Sequence, residues 1–409
     1  MKVDTMRRID HLAGVPLCWL ASGLLRLVGG GGKPGPGIRP SKVLFIELSE
    51  MGSTILADPA MQKLKRERNV ELFFAIFAKN APSLHLLDTV PRENIFTIRE
   101  DSLWHLLLDT FAFLRWTRRT GIDSVIDLEL FSRYTALLTG LSGAVNRVGF
   151  HAFHNEGLYR GEMLTHRVAY NPHQHIAKNF IALVNALLSD REELPYSKTR
   201  IGDEEIVLRK VTIDPARQEA MREKIRSIHP AWRPENQRLV LVNPNASELL
   251  PQRRWMPERY VALMRLILER FPDVVILITG APSEREEAEA LRTQVGNDER
   301  CINFAGQLQL GELPVLYSIA TLMVTNDSGP GHFSAITELP TFVLFGPETP
   351  ALYGSLGNST PIYAGLACSP CVSAANHRKT PCNDNVCLQV IEPQQVFDTL
   401  RPVLENRLQ

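Results

Sequence analysis

The chain has 409 residues, enough for two domains that each bury a core. Hydrophobic residues at 44% and charged residues at 22% exclude a disordered or multi-span chain. Forty-five basic and forty-five acidic side chains cancel, which excludes a global field for recruiting nucleic acid.

The first element is an apolar run over residues 12–25, held between Arg8 and Arg26. At 14 residues it is short for a membrane span, which takes about twenty. No small-x-small cleavage site follows it, and Cys18 lacks the context of a lipoprotein site. The preferred reading is an amphipathic helix lying on a membrane face; the alternative is a helix docked on the protein itself. Residues 29–40 read as a flexible Gly/Pro linker, so 1–40 form an N-terminal appendage.

From residue 41 strands and helices alternate. "KVLFIEL", "VELFFAIF", "NIFTI" and "SVIDLEL" predict strands, with helices at "ILADPAMQKLKRE", "LWHLLLDTFAFLRWTRRT" and "HIAKNFIALVNALL". A polar connection with one helix covers 194–234. A second alternating series begins at "RLVLVNPNA" and runs through "DVVILITG", "CINFAG", "TLMVTNDSG" and "PTFVLFG", with helices between, including one over "PGHFSAITEL". Such alternation predicts parallel sheets joined by right-handed crossovers, hence two doubly wound α/β domains with ligands beyond the carboxyl ends of the strands. The expected divisions are 41–225, 226–390 and a last helix at 391–409 packing back on the first domain.

The strongest chemical signal is "TNDSGPGHFSAITELPTFVLFGPETP", residues 325–350. A strand, a Gly-rich turn and a helix start aim backbone N–H groups at one spot, an anion site suited to a diphosphate. Asp327 suits a cap on that helix. His332, one turn in, either faces the ligand or packs beneath the loop.

This stretch closely resembles the signature of glycosyltransferase family 9, the lipopolysaccharide heptosyltransferases: Asn-Asp-Ser-Gly-Pro-x-His, helix, strand, Phe-Gly-Pro-Thr-x-Pro. "NPNASELLPQRRWMPERYVALM", "ITGAPSEREEAEAL" and "ILADPAM" resemble other segments of that family in the expected order, over roughly residues 41–405. The resemblance implies a GT-B fold, with two facing Rossmann-like domains, a cleft between them, an acceptor-binding first domain and a nucleotide-sugar-binding second. It implies inverting, metal-independent sugar transfer, with ADP-heptose the donor by analogy and a lipopolysaccharide core or other lipid-linked saccharide the acceptor. It places the protein peripherally on the inner face of the cytoplasmic membrane.

Carried over by position, Ser328 and Gly329 would hold the donor diphosphate, with Asp327 and His332 beside them. Arg253 falls at the family's phosphate lysine, Glu284 at its ribose-binding glutamate, and Asn245 in the same donor pocket. Arg133 and His173 would line the acceptor side. No Asp-x-Asp motif suggests metal-bridged phosphates.

One departure stands out. In "LSEMGSTILADPAM" the family's aspartate, its general base, is replaced by Ser53, which cannot act as a base near neutral pH. Glu50 on the same loop is the first candidate substitute, and Glu129 at another strand end the second. The third reading is a degenerate member that binds nucleotide sugar without transferring it, and a nucleotide-sugar epimerase remains a separate alternative. Cys368, Cys371, Cys382 and Cys387 are spaced for a structural zinc loop, although free thiols or a disulfide are preferred.

Overall fold

The computed structural model describes residues 3–28, 39–130, 132–154, 157–246, 250–297, 299–373, 376 and 378–406, so most of the expected linker lies outside the described residues. Two compact units emerge: Met1–Val207 with Ser373–Arg378, and Leu208–Val372 with Lys379–Gln409.

The first unit opens with α1 (Val3–Leu12) and α2 (Gly14–Leu27). Then come β1 (Lys42–Ile46), α3 (Met51–Arg68), β2 (Glu71–Phe77), β3 (Ile95–Ile98), α4 (Leu103–Thr120) and β4 (Ser124–Asp127). It closes with α5 (Arg133–Leu141), β5 (Asn146–Phe150), β6 (His166–Val168) and α6 (Ile176–Leu188). The six strands are all parallel, in the order β3-β2-β1-β4-β5-β6. Val43, Leu44, Phe45 and Ile46 are buried without alternation, as a central parallel strand covered on both faces requires. Leu44 and Ile46 pack with Phe113 of α4 and Leu138 of α5, so these helices cover one face. Local signals bound α4: the Ser102 hydroxyl accepts the His105 N–H at 3.1 Å, and Gly121 ends the helix at φ +73°.

The two faces of α2 differ in burial. Gly14, Cys18, Ala21 and Ser22 of α2 are buried, with Cys18 and Ala21 against Ala136 of α5. The approach is close: a Cβ on Gly14 would lie 2.8 Å from Arg133 Cβ, and one on Gly161, at φ +80°, 2.7 Å from Ser22 Oγ. The opposite face leaves Trp19, Leu20 and Leu24 exposed. No described helix is long and apolar enough to cross a membrane.

The second unit contains α7 (Pro215–Ile228), β7 (Arg238–Asn243), α8 (Pro257–Arg270), β8 (Val274–Ile278), α9 (Arg285–Val295) and β9 (Cys301–Asn303). It continues with α10 (Leu313–Ile319), β10 (Leu322–Asn326), α11 (Gly329–Ser334), β11 (Thr341–Phe345), α12 (Pro350–Tyr353), β12 (Ser359–Tyr363), α13 (Val386–Gln389) and α14 (Pro393–Glu405). Its parallel order, β12-β11-β10-β7-β8-β9, repeats the first sheet's pattern, with the chain reversing direction between β7 and β10 as it does between β1 and β4.

Three expectations need correcting. The last helix belongs to the second unit: Val396, Phe397, Leu400 and Leu404 of α14 join its core with Tyr260, Met264 and Ile267 of α8. The boundary expected at 225 falls inside α7, whose Met221 and Ile225 are buried and whose Lys224 pairs with Glu312 at 2.8 Å; the division lies at 207/208 instead. The helix expected over 330–339 ends at Ser334, where Thr337 Oγ1 donates to the Ser334 carbonyl at 2.8 Å ahead of Pro340.

Because Leu400 is fully buried in the second unit, Leu400→Ala is expected to lower stability by about 2–5 kcal/mol in urea melts. A loss under about 1 kcal/mol would mean that α14 is not part of this core.

Candidate functional site

In an open parallel sheet, the two loops leaving the strands at the reversal splay apart and leave room for a ligand. Most of the candidate residues lie on the loops that leave β1, β4, β7 and β10.

In the first unit β1 ends at Glu47-Leu48-Ser49-Glu50 and β4 at Asp127-Leu128-Glu129. Glu129 Oε1 accepts the Leu48 N–H and the Ser49 N–H, each at 3.1 Å, and the Ser49 hydroxyl at 2.8 Å. The second candidate base is therefore engaged as a fastening between the two strand ends. Ser49 Oγ also lies 3.4 Å from Glu47 Oε1. Burial first, then the charges of Glu129 and Glu50, hold the Glu47 carboxyl well above the usual carboxylate range. Asp127 is pushed up to about 6 by burial, against the opposing charge of Arg160. Arg160 binds Asp127 and donates to the carbonyls of Glu129 at 2.5 Å and Ser132 at 2.9 Å.

Glu50 stands at the N-cap position of α3 and is half-buried. Its Oε1 pairs with Arg378, and its Oε2 lies 3.5 Å from the Ser53 hydroxyl. The first candidate base thus reaches the side chain that replaces the family's aspartate.

In the second unit Asn326, at the end of β10, makes the corresponding fastening. Its Oδ1 accepts the Trp255 N–H and the Tyr260 hydroxyl, both at 3.0 Å, and its Nδ2 donates to the Pro244 carbonyl at 2.7 Å. Asn245 and Glu284 converge on Gly280, where a Cβ would lie 3.0 Å from Asn245 Nδ2 and 2.8 Å from Glu284 Oε2. Glu284 also accepts the Ala281 N–H at 2.6 Å. Ser328 takes the N-cap position of α11, an extended residue whose side chain makes no capping bond. Asp327 faces the Arg253 guanidinium, Oδ2 to Nε at 3.4 Å, and Arg253 also pairs with Glu348. Two buried carboxylates thus flank the arginine expected to meet the diphosphate. His332 is buried, with Nδ1 3.4 Å from Ser355 Oγ.

The two acceptor-side candidates have different surroundings. Arg133 is buried in the packing of α1 and α2: Nη1 pairs with Asp10 Oδ2 at 3.1 Å and Nε donates to the Tyr159 carbonyl at 2.9 Å. His173 is exposed on the loop before α6, and its backbone N–H donates to Asn171 Oδ1 at 2.9 Å. Of the carboxyl-terminal cysteines Cys368 is exposed, Cys371 and Cys382 are half-buried and Cys387 is buried; burial first, then the neighbouring thiols, pushes Cys387 up to about 11. Among the described residues no three His, Cys, Asp or Glu side chains form a group that could hold a metal ion.

Residues 111–380, more than half of the chain, match the family model described as glycosyltransferase family 9 (heptosyltransferase). The chain belongs to glycosyltransferase family 9. Lipooligosaccharide heptosyltransferase 2 of Campylobacter jejuni is 24% identical over 185 residues, covering 45% of this chain and 56% of that relative. The chain therefore spans little more than half the length of this curated relative. The solved ADP-heptose lipopolysaccharide heptosyltransferase II of E. coli matches with a TM-score of 0.65 at 19% identity, covering 89% of this chain and 98% of that one. E. coli heptosyltransferase WaaC with ADP matches with a TM-score of 0.60 at 17% identity, over 88% and 99% of the two chains. Likeness at these identities bears on the fold, an α/β arrangement of two Rossmann-like domains as in the GT-B heptosyltransferases.

This family 9 chain carries residues of the candidate site that its sequence did not single out. Glu47 was signalled by a glutamate closing the apolar run "KVLFIEL", and Glu348 by glutamate standing at the threonine of Phe-Gly-Pro-Thr-x-Pro. Arg160 and Arg378 gave no local signal.

Glu47 binds its proton more tightly in the folded chain than in the unfolded one. The folded chain thus holds the extra proton from about pH 4.3, the ordinary value, up to its raised value, and stability falls with rising pH across that window. Glu47→Gln removes the titration while keeping the shape, so its melting temperature should drop less than wild type between about pH 5 and about pH 8. Equal drops in the two proteins would contradict the assignment.

Proposed function

We propose that this chain transfers a sugar from a nucleoside diphosphate donor to a lipid-linked saccharide acceptor, with inversion and without a metal. ADP-heptose and a lipopolysaccharide-type core are the preferred donor and acceptor, in keeping with the relatives' names. The acceptor hydroxyl attacks the anomeric carbon as the bond to the diphosphate oxygen breaks, and the hydroxyl proton passes to a carboxylate.

The observation that carries the reading is the position of Glu50, whose Oε2 sits at the Ser53 hydroxyl while Arg378 holds Oε1. A carboxylate within reach of the family's base position can take the proton that serine cannot. Arg378 orients the group by pairing with its other oxygen.

On the donor side, the N–H groups of Ser328 and Gly329 suit the diphosphate, and the Asn245–Glu284 pair suits the nucleoside. Pro330 offers no N–H and α11 is only one and a half turns long, so the loop amides rather than a helix dipole would carry the anion. Arg253 would meet the diphosphate by exchanging one of its two carboxylate partners. The exposed apolar face of α2 supports a peripheral position at the cytoplasmic membrane face, where a lipid-borne acceptor would be met.

Glu50→Gln is expected to reduce acceptor-dependent ADP release from ADP-heptose by about 10²–10⁴-fold, with Ser53→Ala near wild type. Unchanged turnover in Glu50→Gln, with loss in a folded Glu129→Gln, would transfer the role to Glu129. Donor binding by wild type without turnover on any acceptor would favour the binding-only reading that Ser53 suggests.

A further inference from the structure

The helix α2 is built inside out for a surface in water. Its inward residues are small, Gly14, Cys18, Ala21 and Ser22, whereas Leu17, Trp19, Leu20 and Leu24 point outward, with exposures of 48–67%. A solvated amphipathic helix places its large apolar residues against the core. A second helix of the same unit repeats the pattern. On α4 the buried side holds Phe113 and Thr117, while Trp104, Leu107 and Phe111 are 67%, 52% and 71% exposed.

The two helices belong to one layer. Both pack on α5, through Cys18 and Ala21 for α2 and through Thr110 Oγ1 to Tyr134 OH at 2.7 Å for α4. The α1 helix links them, with Met6 in the cluster beside Leu106 and Leu114 of α4, and Asp10 bound to the Arg133 and Tyr134 N–H groups. The two helices carry more basic than acidic side chains. No acidic residue occurs in α2, and the single acid of α4, Asp109, is held bidentately by Arg99 at 2.9 and 2.6 Å. Arg26, Arg115 and Arg119 are exposed toward the carboxyl ends of these helices.

We propose that the outer faces of α2 and α4 together form a docking surface for an anionic lipid bilayer. Leucines and phenylalanine enter the acyl boundary, the two indoles sit at headgroup level, and the arginines meet lipid phosphates. The excess of arginine over carboxylate on the two helices favours a negative surface over a second copy of this face, which would oppose arginine to arginine. The inference deepens the proposed membrane position but is argued from the first unit alone, without the donor site or the base.

The test is co-sedimentation of the full chain with phosphatidylethanolamine vesicles containing phosphatidylglycerol, and with phosphatidylcholine vesicles alone, both free of glycolipid. Binding to the anionic vesicles is expected, with a blue shift of tryptophan emission that Trp19→Phe and Trp104→Phe each diminish. Leu20→Glu with Leu24→Glu, and separately Leu107→Glu with Phe111→Glu, should each weaken binding by about tenfold or more, and Arg115→Gln with Arg119→Gln should remove the preference for anionic lipid. Near-ultraviolet circular dichroism checks that each variant is folded. No vesicle binding, or binding that the α4 pair leaves unchanged, overturns the proposal; so does a dimer in sedimentation that the same substitutions disperse. Sugar transfer to a soluble acceptor fragment by a chain that ignores vesicles would reject this surface and leave the proposed function standing. Vesicle binding without any transfer would do the reverse.

Discussion

Within each unit, one buried polar side chain ties a strand end on one side of the chain reversal to the loop leaving the strand on the other. In the first unit Glu129 gathers the backbone of Leu48 and Ser49. In the second, Asn326 gathers Trp255, Tyr260 and Pro244. A parallel sheet opens a gap at this point because consecutive crossovers leave in opposite directions, and the loops lining the gap have no ladder partners. Removing either fastening would strand buried donors, at a cost of about 1–3 kcal/mol each. The rest of the candidate site inherits its geometry from these two contacts.

The two gaps differ in chemistry. The first collects Glu47, Glu50, Asp127 and Glu129 around Ser49, a crowd of acids in which burial favours holding a proton at Glu47. A buried carboxyl with raised proton affinity beside other acids suits proton transfer from a hydroxyl. The second gap offers loop amides at Ser328 and Gly329 together with an amide and a carboxylate at Asn245 and Glu284, a set that suits a phosphorylated nucleoside. Arg253 sits between Asp327 and Glu348, so its charge is already answered within the protein.

Much of this was legible in the sequence, for identifiable reasons. Runs such as "KVLFI" and "VVILI" are apolar without alternation because both faces of a central parallel strand are covered, and the spacing of the helices between them fixes the topology. The Asn-Asp-Ser-Gly-Pro turn between β10 and α11 was legible from its local sequence. What stayed hidden depends on residues far apart in the chain. Glu50 meets Arg378 across 328 positions, Arg133 meets Asp10 across 123, and Arg253 meets Glu348 across 95. Arg133 therefore looked like an acceptor contact when it staples the amino-terminal helices. The last helix was misplaced for a related reason, since an apolar stripe says that a helix packs but not on which core.

The most direct measurement is a crystal structure of the chain with ADP. The account predicts the diphosphate against the Ser328 and Gly329 amides, with the ribose toward Glu284 and Asn245 at the end of β7. Nucleotide bound instead at the carboxyl ends of β1 and β4, beside Glu47 and Glu129, would contradict the division of roles between the two reversal points.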